Sequence, residues 1–281
     1  MRVRFWGTRG SLATPGPETV RYGGETSCVE VRCATPEHVL ILDAGSGLRR
    51  LGDAVDGKVT RIDLLLSHLH LDHIIGLGFF APLFRPDVSV TIWGPPSPAA
   101  PLLERLGRYL SPPLFPVRLR DVDARIALRE VPDGPFECGP FEVTADPVIH
   151  RDPALGYRIR DESAVLAYLP DHEPALAGPT FPRDREWTSG LSLAADADLL
   201  IHDAQYTDDE YAKRVGWGHS AVAHAVEFAE LAAVRRLALF HHDPAHSDAV
   251  VDEMLEQARS LSRGGDVVAA AEGDELTVET G

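Results

Sequence analysis

Ser67-His68-Leu69-His70-Leu71-Asp72-His73 follows directly on the apolar run Ile62-Asp63-Leu64-Leu65-Leu66. A short run of that kind reads as a buried strand, and α/β proteins place their chemistry at the carboxyl ends of strands. His68 and His70 are two residues apart, so on extended backbone their side chains leave on one side and can share a metal ion. Asp72 and His73 lie past the strand end, where the turning chain can aim them at a second ion. Four ligand-type residues packed behind a hydrophobic strand ask for a pair of metals, which a scattered surface histidine does not.

His-x-His-x-Asp-His at a strand end resembles the signature of the metallo-β-lactamase superfamily, and every residue of it is present here. The resemblance implies a four-layer αββα sandwich, an α/β fold, holding two divalent ions. Flavodiiron members of that superfamily carry a glutamate in the second position, a hard oxygen ligand suited to iron. His70 offers a nitrogen instead, which suits zinc (Zn2+), with manganese (Mn2+) as the alternative, and this favours hydrolysis over redox chemistry.

Composition sets the outer limits. A chain of 281 residues that is 44 % hydrophobic can bury one large core, so it reads as a single domain over 1–281, with two βα halves meeting near 111–125. Its 43 Asp and Glu outnumber 27 Lys and Arg, giving a formal charge of −16. That field repels a long polyanion and no Lys/Arg-rich run opposes it, so a nucleic acid polymer is not the expected partner. A small anion is different, because bound divalent ions dominate the potential inside a pocket. Cys28, Cys33 and Cys138 are odd in number and lack CxxC spacing, so they read as small core residues of a reducing compartment. With no apolar leader at Met1-Arg2-Val3-Arg4-Phe5-Trp6 and no stretch long enough for a membrane span, the expected location is cytoplasmic.

Strand patterns recur at Val3 to Trp6, Ser27 to Arg32, His38 to Leu42, Ile62 to Leu66 and Val88 to Trp93. A second set follows at Arg125 to Val131, Phe141 to Val148, Leu155 to Arg160, Val165 to Leu169, Leu199 to His202 and Leu237 to Phe240. Helices are expected at Ile74 to Phe84, Pro98 to Leu110, Ala221 to Val234 and Asp248 to Ser260, the last behind a Ser247 N-cap. Ser111-Pro112-Pro113-Leu114-Phe115-Pro116 cannot be regular and reads as a linker between the halves or a pocket wall. Asp43, which opens a Gly-rich turn at a strand end, either merely turns the chain or hydrogen-bonds a metal-bound histidine, and the second reading is preferred.

Later strand ends carry the remaining candidates. The resemblance implies His150 as the third ligand of the first ion beside His68 and His70. Of the two histidines after the last apolar strand it favours His241 over His242 as the last ligand of the second ion, beside Asp72 and His73, with Asp171 bridging both. His172 then reads as a solvated neighbour of Asp171, and His242 as a residue behind the ligands or facing substrate. His202 reads as buried support, His224 as a helix-surface or core residue, and His38 and His246 as exposed. Leu199-Leu200-Ile201-His202-Asp203-Ala204 and Val215-Gly216-Trp217-Gly218-His219-Ser220 resemble the His-Glu-Ala and Gly-His-Ser/Thr pairs of the tRNase Z branch, with aspartate in place of glutamate. The resemblance implies that Asp203 orients His219 as general acid, against the plainer reading in which His219 caps the helix after it.

Phe5-Trp6-Gly7-Thr8-Arg9-Gly10-Ser11 and Tyr22-Gly23-Gly24-Glu25-Thr26-Ser27-Cys28 resemble phosphodiesterase-like members, and Arg9 and Ser11 are candidates to reach a phosphate. The basic arm with which a tRNase Z grips tRNA has no counterpart here. The chain is most similar to arm-less cyclic nucleotide phosphodiesterases, the anti-Pycsar enzymes among them. The expectation is a dinuclear phosphodiesterase opening a small cyclic phosphate, such as a 3′,5′-cyclic nucleotide, by attack of a metal-bridging hydroxide. Alternatives are hydrolysis of a lactone, thioester or β-lactam, or tRNase Z-like RNA processing. The same relatives imply a homodimer.

Overall fold

A computed structural model describes residues 1–174, 181 and 184–280. The strands are β1 (Arg2–Gly7), β2 (Cys28–Arg32), β3 (His38–Leu42), β4 (Arg61–Leu65), β5 (Ser89–Gly94), β6 (Arg125–Glu130), β7 (Phe136–Cys138), β8 (Phe141–Val148), β9 (Ala154–Arg160), β10 (Val165–Leu169), β11 (Leu199–Asp203), β12 (Arg236–Phe240), β13 (Asp266–Ala269) and β14 (Glu275–Thr277). They form two sheets, ordered β14-β1-β2-β3-β4-β5-β6 and β13-β12-β11-β10-β9-β8-β7.

The apolar runs are continuous because both faces of these sheets are covered. Leu40 and Leu42 of β3 point to the core between the sheets, as do Leu166 and Tyr168 of β10 and Ala238 and Phe240 of β12. Their neighbours Val39 and Ile41 face the helical layer outside the first sheet, while Ala167, Leu169, Leu237 and Leu239 face the layer outside the second. The result is helix, sheet, sheet, helix, the expected four-layer sandwich. The outer layers include α1 (Leu48–Ala54), α2 (Leu71–Ile74), α3 (Leu102–Gly107), α4 (Leu191–Ala194), α5 (Asp208–Tyr211), α6 (Val222–Leu231) and α7 (Asp248–Leu261). Ser247 caps α7 by accepting from Val250 N. No helix among the described residues is long and apolar enough to cross a membrane.

Three local expectations need correction. Arg125–Glu130 pairs in parallel with β5 and closes the edge of the first sheet, so the chain passes between sheets at residues 131–135. The helix expected over Ile74 to Phe84 is α2 followed by 3₁₀ turns at Leu77–Phe79 and Ala81–Phe84. Gly76 N–H bonds to Ala44 O instead of a helical carbonyl, and Pro82 has no N–H to give. Pro98 to Leu110 is helical only at Leu102–Gly107. The proline-rich stretch after it does more than link: Phe115 packs edge-on against Phe79, bracing the segment that follows the histidine motif.

Candidate metal centre

The carboxyl ends of β4, β8, β10, β11 and β12 converge on one edge of the sandwich. His68 Nε2 lies 3.6 Å from Asp171 Oδ2. His150 Nε2 lies 3.7 Å from the same oxygen and 3.4 Å from His70 Nδ1. On the other side His73 Nε2 is 3.1 Å from both Asp72 Oδ2 and Asp171 Oδ1, and His241 Nε2 is 3.3 and 3.2 Å from the same two oxygens. Two donor groups result, His68, His70 and His150 on one side and Asp72, His73 and His241 on the other, with Asp171 offering one oxygen to each. A tetrahedral ion with bonds of ~2.0–2.1 Å sets its ligand atoms about 3.3 Å apart, and the distances above, 3.1 to 3.7 Å, bracket that spacing.

Each ring is fixed from behind, and this decides which nitrogen faces inward. His68 Nδ1–H donates to Ser67 Oγ at 3.0 Å, and that hydroxyl donates to Asp43. His73 Nδ1–H donates to Asp43 Oδ2 at 2.8 Å, the role expected of Asp43, and Tyr168 OH donates to the same oxygen. His150 Nδ1–H donates to Gly218 O at 2.8 Å. His241 Nδ1–H donates to Gln205 Oε1 at 3.1 Å. His70 is turned the other way: Nε2–H donates to Asp152 Oδ2 at 2.9 Å, leaving Nδ1 for the centre. Ser67, Asp152 and Gln205 escaped the reading of the sequence, although each stands within two residues of a residue it singled out.

Buried His68 Nε2, His73 Nε2 and Asp171 Oδ1 have no hydrogen-bond partner among the described residues. Orphaned polar atoms cost ~1–3 kcal/mol each, and a divalent cation between them would satisfy all three. The electrostatics agree. Burial disfavours a charged His73, yet Asp72, Asp171 and Asp43 outweigh it and hold its pKa well above the ordinary value. Burial likewise opposes ionised Asp171, but His241, His73 and His68 keep it well below the usual carboxylate range. The pocket is built for positive charge, and the residues present fit a pair of metal ions.

Backbone strain gathers here. His241, Asp43 and Ser11 hold left-handed φ of 60°, 58° and 58°, at a cost of order 1–3 kcal/mol each. Ser11 N–H donates to Asp72 Oδ2 at 2.7 Å. Gly10 must be glycine, because a Cβ would come within 2.3 Å of His241 Nδ1.

Asp203 and His219 form the expected pair, with His219 Nδ1 2.7 Å from Asp203 Oδ2. Asp203 also accepts backbone N–H bonds from His172, Gln205 and Ser220, which locks it in place. Burial lowers His219, but Asp203, with Asp171 and Asp72 behind it, raises its pKa to about 9. His219 makes no cap, since α6 starts behind Ala221 without a side-chain cap bond.

Other histidines depart from expectation. His172 is not solvated: it is buried, with Nδ1 3.0 Å from His202 Nε2. His242 turns away from the centre, its Nε2–H donating to Ala270 O, and burial pushes it down to about 3. His38 and His246 are buried, not exposed, against Asp63 and Glu210. His224, by contrast, fits the core alternative of its reading: it is a buried residue of α6, edge-on to Tyr211. Arg9 is fully buried and donates to the carbonyls of Gly23, Asp243 and His246, so it holds loops together and does not reach a phosphate.

The sequence pattern of the family described as "Beta-lactamase superfamily domain" matches residues 38–242, which span the whole donor set. The chain belongs to the metallo-β-lactamase superfamily. Relatives similar to it include ribonuclease Z of Haloarcula marismortui, 26 % identical over 99 % of this chain and 97 % of the relative. Ribonuclease Z of Haloferax volcanii is 28 % identical over 99 % and 95 %. Among solved structures, the metallo-β-lactamase fold protein YhfI of Bacillus subtilis superposes with TM-score 0.72 at 22 % identity, covering 98 % of this chain and 99 % of its own. The short form of human tRNase Z gives 0.68 at 22 % with full coverage of both chains. A diphosphatase of the PhnP family gives 0.66 at 17 %, covering 99 % and 98 %. These superpositions carry the superfamily fold.

Proposed function

We propose that the chain is a dinuclear metal-dependent phosphodiesterase that opens a small cyclic phosphate, a 3′,5′-cyclic nucleotide being the preferred candidate. The observation that carries this is the Asp203–His219 pair, held at 2.7 Å beside the donor set, with the His219 ring stacked on His241. Hydrolysis of a β-lactam, thioester or lactone has no clear use for such a pair. A ribose alkoxide is a poor leaving group and needs a proton.

His68, His70 and His150 would hold one ion, Asp72, His73 and His241 the other, and Asp171 would bridge. Bound there, zinc ions would supply Lewis acidity and lower the pKa of a bound water from about 15.7 to about 7. The protein's own part is then positional. Asp203 accepts from Nδ1–H of His219, which fixes the tautomer and leaves Nε2–H as the proton to give. Gln205, Asp43, Ser67 and Asp152 keep the ligand rings from rotating.

tRNase Z-like processing is the second reading, favoured by ribonuclease Z relatives that align over nearly the whole chain. The formal charge of −16 argues for the small substrate, because a net negative charge repels a long polyanion more than a single phosphate. A turnover screen on cyclic nucleotides, bis(p-nitrophenyl) phosphate, nitrocefin, a thioester and pre-tRNA decides between them. Cleavage of the cyclic nucleotide with little action on pre-tRNA is expected; preference for pre-tRNA would replace the first reading with the second. The same reading carries a homodimer, an expectation drawn from the relatives of that branch. Light scattering should give twice the chain mass.

A further inference from the structure

Glu173 has no part in the chemistry above, yet it is 1 % exposed. It follows Asp171 by two residues, and its N–H donates to Ile149 O beside His150. Its carboxylate takes three donors. Oε1 accepts from Tyr211 OH at 2.8 Å and from Gly216 N–H at 2.7 Å, and Oε2 accepts from Gly218 N–H at 2.7 Å. Two of the three bonds therefore grip one short turn, Gly216-Trp217-Gly218, whose glycines hold φ of 82° and 91°.

That turn carries two site residues at once. Gly218 O receives His150 Nδ1–H, and His219 is the next residue in the chain. A Cβ at Gly218 would lie 2.5 Å from His150 Nδ1, so the peptide is pressed as close to the ring as a backbone can come. An ionised acceptor makes peptide N–H bonds roughly twice as strong as a neutral one, and burial excludes the water that would compete.

We infer that Glu173 is a positioning residue that clamps the 216–218 turn, so that one buried carboxylate sets both the metal-facing nitrogen of His150 and the location of the general acid His219. The inference rests on the roles given to these histidines under the proposed function. Asp171 begins the same short segment, so three site residues are registered against one another through it. Glutamine is the same size, but its amide group turns an N–H toward one of the two glycine N–H groups. One clamp bond is lost and the turn is free to move.

The test compares the wild-type protein with Glu173→Gln, Glu173→Asp and Tyr211→Phe, using cobalt(II) as the metal probe. Cobalt affinity and the ligand-field spectrum are read in equilibrium titration, without turnover. The rate ratio between a cyclic nucleotide and bis(p-nitrophenyl) phosphate is read separately. Glu173→Gln should weaken cobalt binding by ~10-fold or more, alter its spectrum and lower the rate ratio by a similar factor. Glu173→Asp, too short to reach both glycines, should fall between it and the wild type. Tyr211→Phe leaves both clamp bonds and should keep both readouts within about twofold. Wild-type spectrum and affinity in a folded Glu173→Gln protein would overturn the inference. So would failure of both Glu173 variants to fold, which would make the residue a stability element only. Failure of the wild-type protein to bind cobalt, or to act on either diester, would instead count against the proposed function.

Discussion

His219 and His241 lie ring over ring, centroids 5.0 Å apart and planes within 17° of parallel. One of these rings belongs to the donor set, and the other is tied to Asp203 at 2.7 Å. His219 is thereby held against the candidate donor set on its His241 side, in the place the proposed general acid needs.

His219→Ala should accordingly leave both ions bound while lowering kcat on a cyclic nucleotide by ~10²- to 10⁴-fold. An activated diester such as bis(p-nitrophenyl) phosphate should lose far less, because its leaving group departs without a proton. Equal losses on both substrates at unchanged metal content would show that His219 binds phosphate or supports structure.

Protein purified without chelator should carry two divalent ions per chain by elemental analysis. Their removal should abolish turnover and lower Tm, since ions present at ~100 times their Kd contribute about 2.7 kcal/mol per site. Finding a single ion in fully active protein would rule out the dinuclear centre.

Asp171→Ala and His172→Ala should fail in different ways, although the residues are adjacent. Loss of Asp171 removes the oxygens facing His68, His73, His150 and His241, so metal content should collapse with activity. Loss of His172 leaves a cavity against Phe228 and strips His202 of its ring partner. That should cost about 2–4 kcal/mol in stability while metals are retained. Calorimetry with metal analysis separates the two, and a metal-depleted His172→Ala of wild-type stability would reverse the assignment.

The supporting shell was less legible in the sequence than the donors, for a physical reason. His68, His70, Asp72 and His73 announce themselves because a strand and its turn are local, and β12 ends on His241 for the same cause. The surroundings of His38, His172 and His246 depend on Asp63, His202 and Glu210, partners 25 to 36 residues away that only the folded sheets bring near. Gln205 looks like an ordinary loop amide until β11 and β12 pair and place it behind His241. The strand and helix pattern alone gave two βα units of an α/β sandwich, and the four layers came from the resemblance carried by the histidine motif. The place of β6 followed from neither, because edge membership is fixed by pairing with β5 and not by the strand's own pattern.

Gln205→Leu removes the acceptor behind His241, and Asp152→Asn weakens the one behind His70. Each should lower metal affinity by ~10- to 100-fold at its own side of the centre, with the fold intact. Competition with a chelator measures this. Because Asp152 is exposed, its effect should be the smaller of the two and should fade as salt rises. An Asp152→Asn protein with unchanged affinity at low salt would mean that packing alone orients His70.

The pH profile gives the last prediction. His219 can donate only while protonated, and Asp203 raises its pKa to about 9 against the opposing effect of burial. Activity toward a cyclic nucleotide should therefore persist through neutral pH and fall on the alkaline side as His219 loses its proton. Two cations bound beside it would repel that proton, so the alkaline limb should lie below about 9. Asp203→Asn deletes the largest influence holding the proton on, leaving burial opposed only by the smaller effects of Asp171 and Asp72, and should carry the limb down toward the ordinary imidazole value of ~6.5. On bis(p-nitrophenyl) phosphate the limb should vanish in both proteins, because no proton is required by that leaving group. Measuring kcat from pH 5 to about 10 on both substrates provides the check. A limb that appears equally on both diesters, or that Asp203→Asn leaves in place, would belong to some other group and would remove His219 from the role of acid.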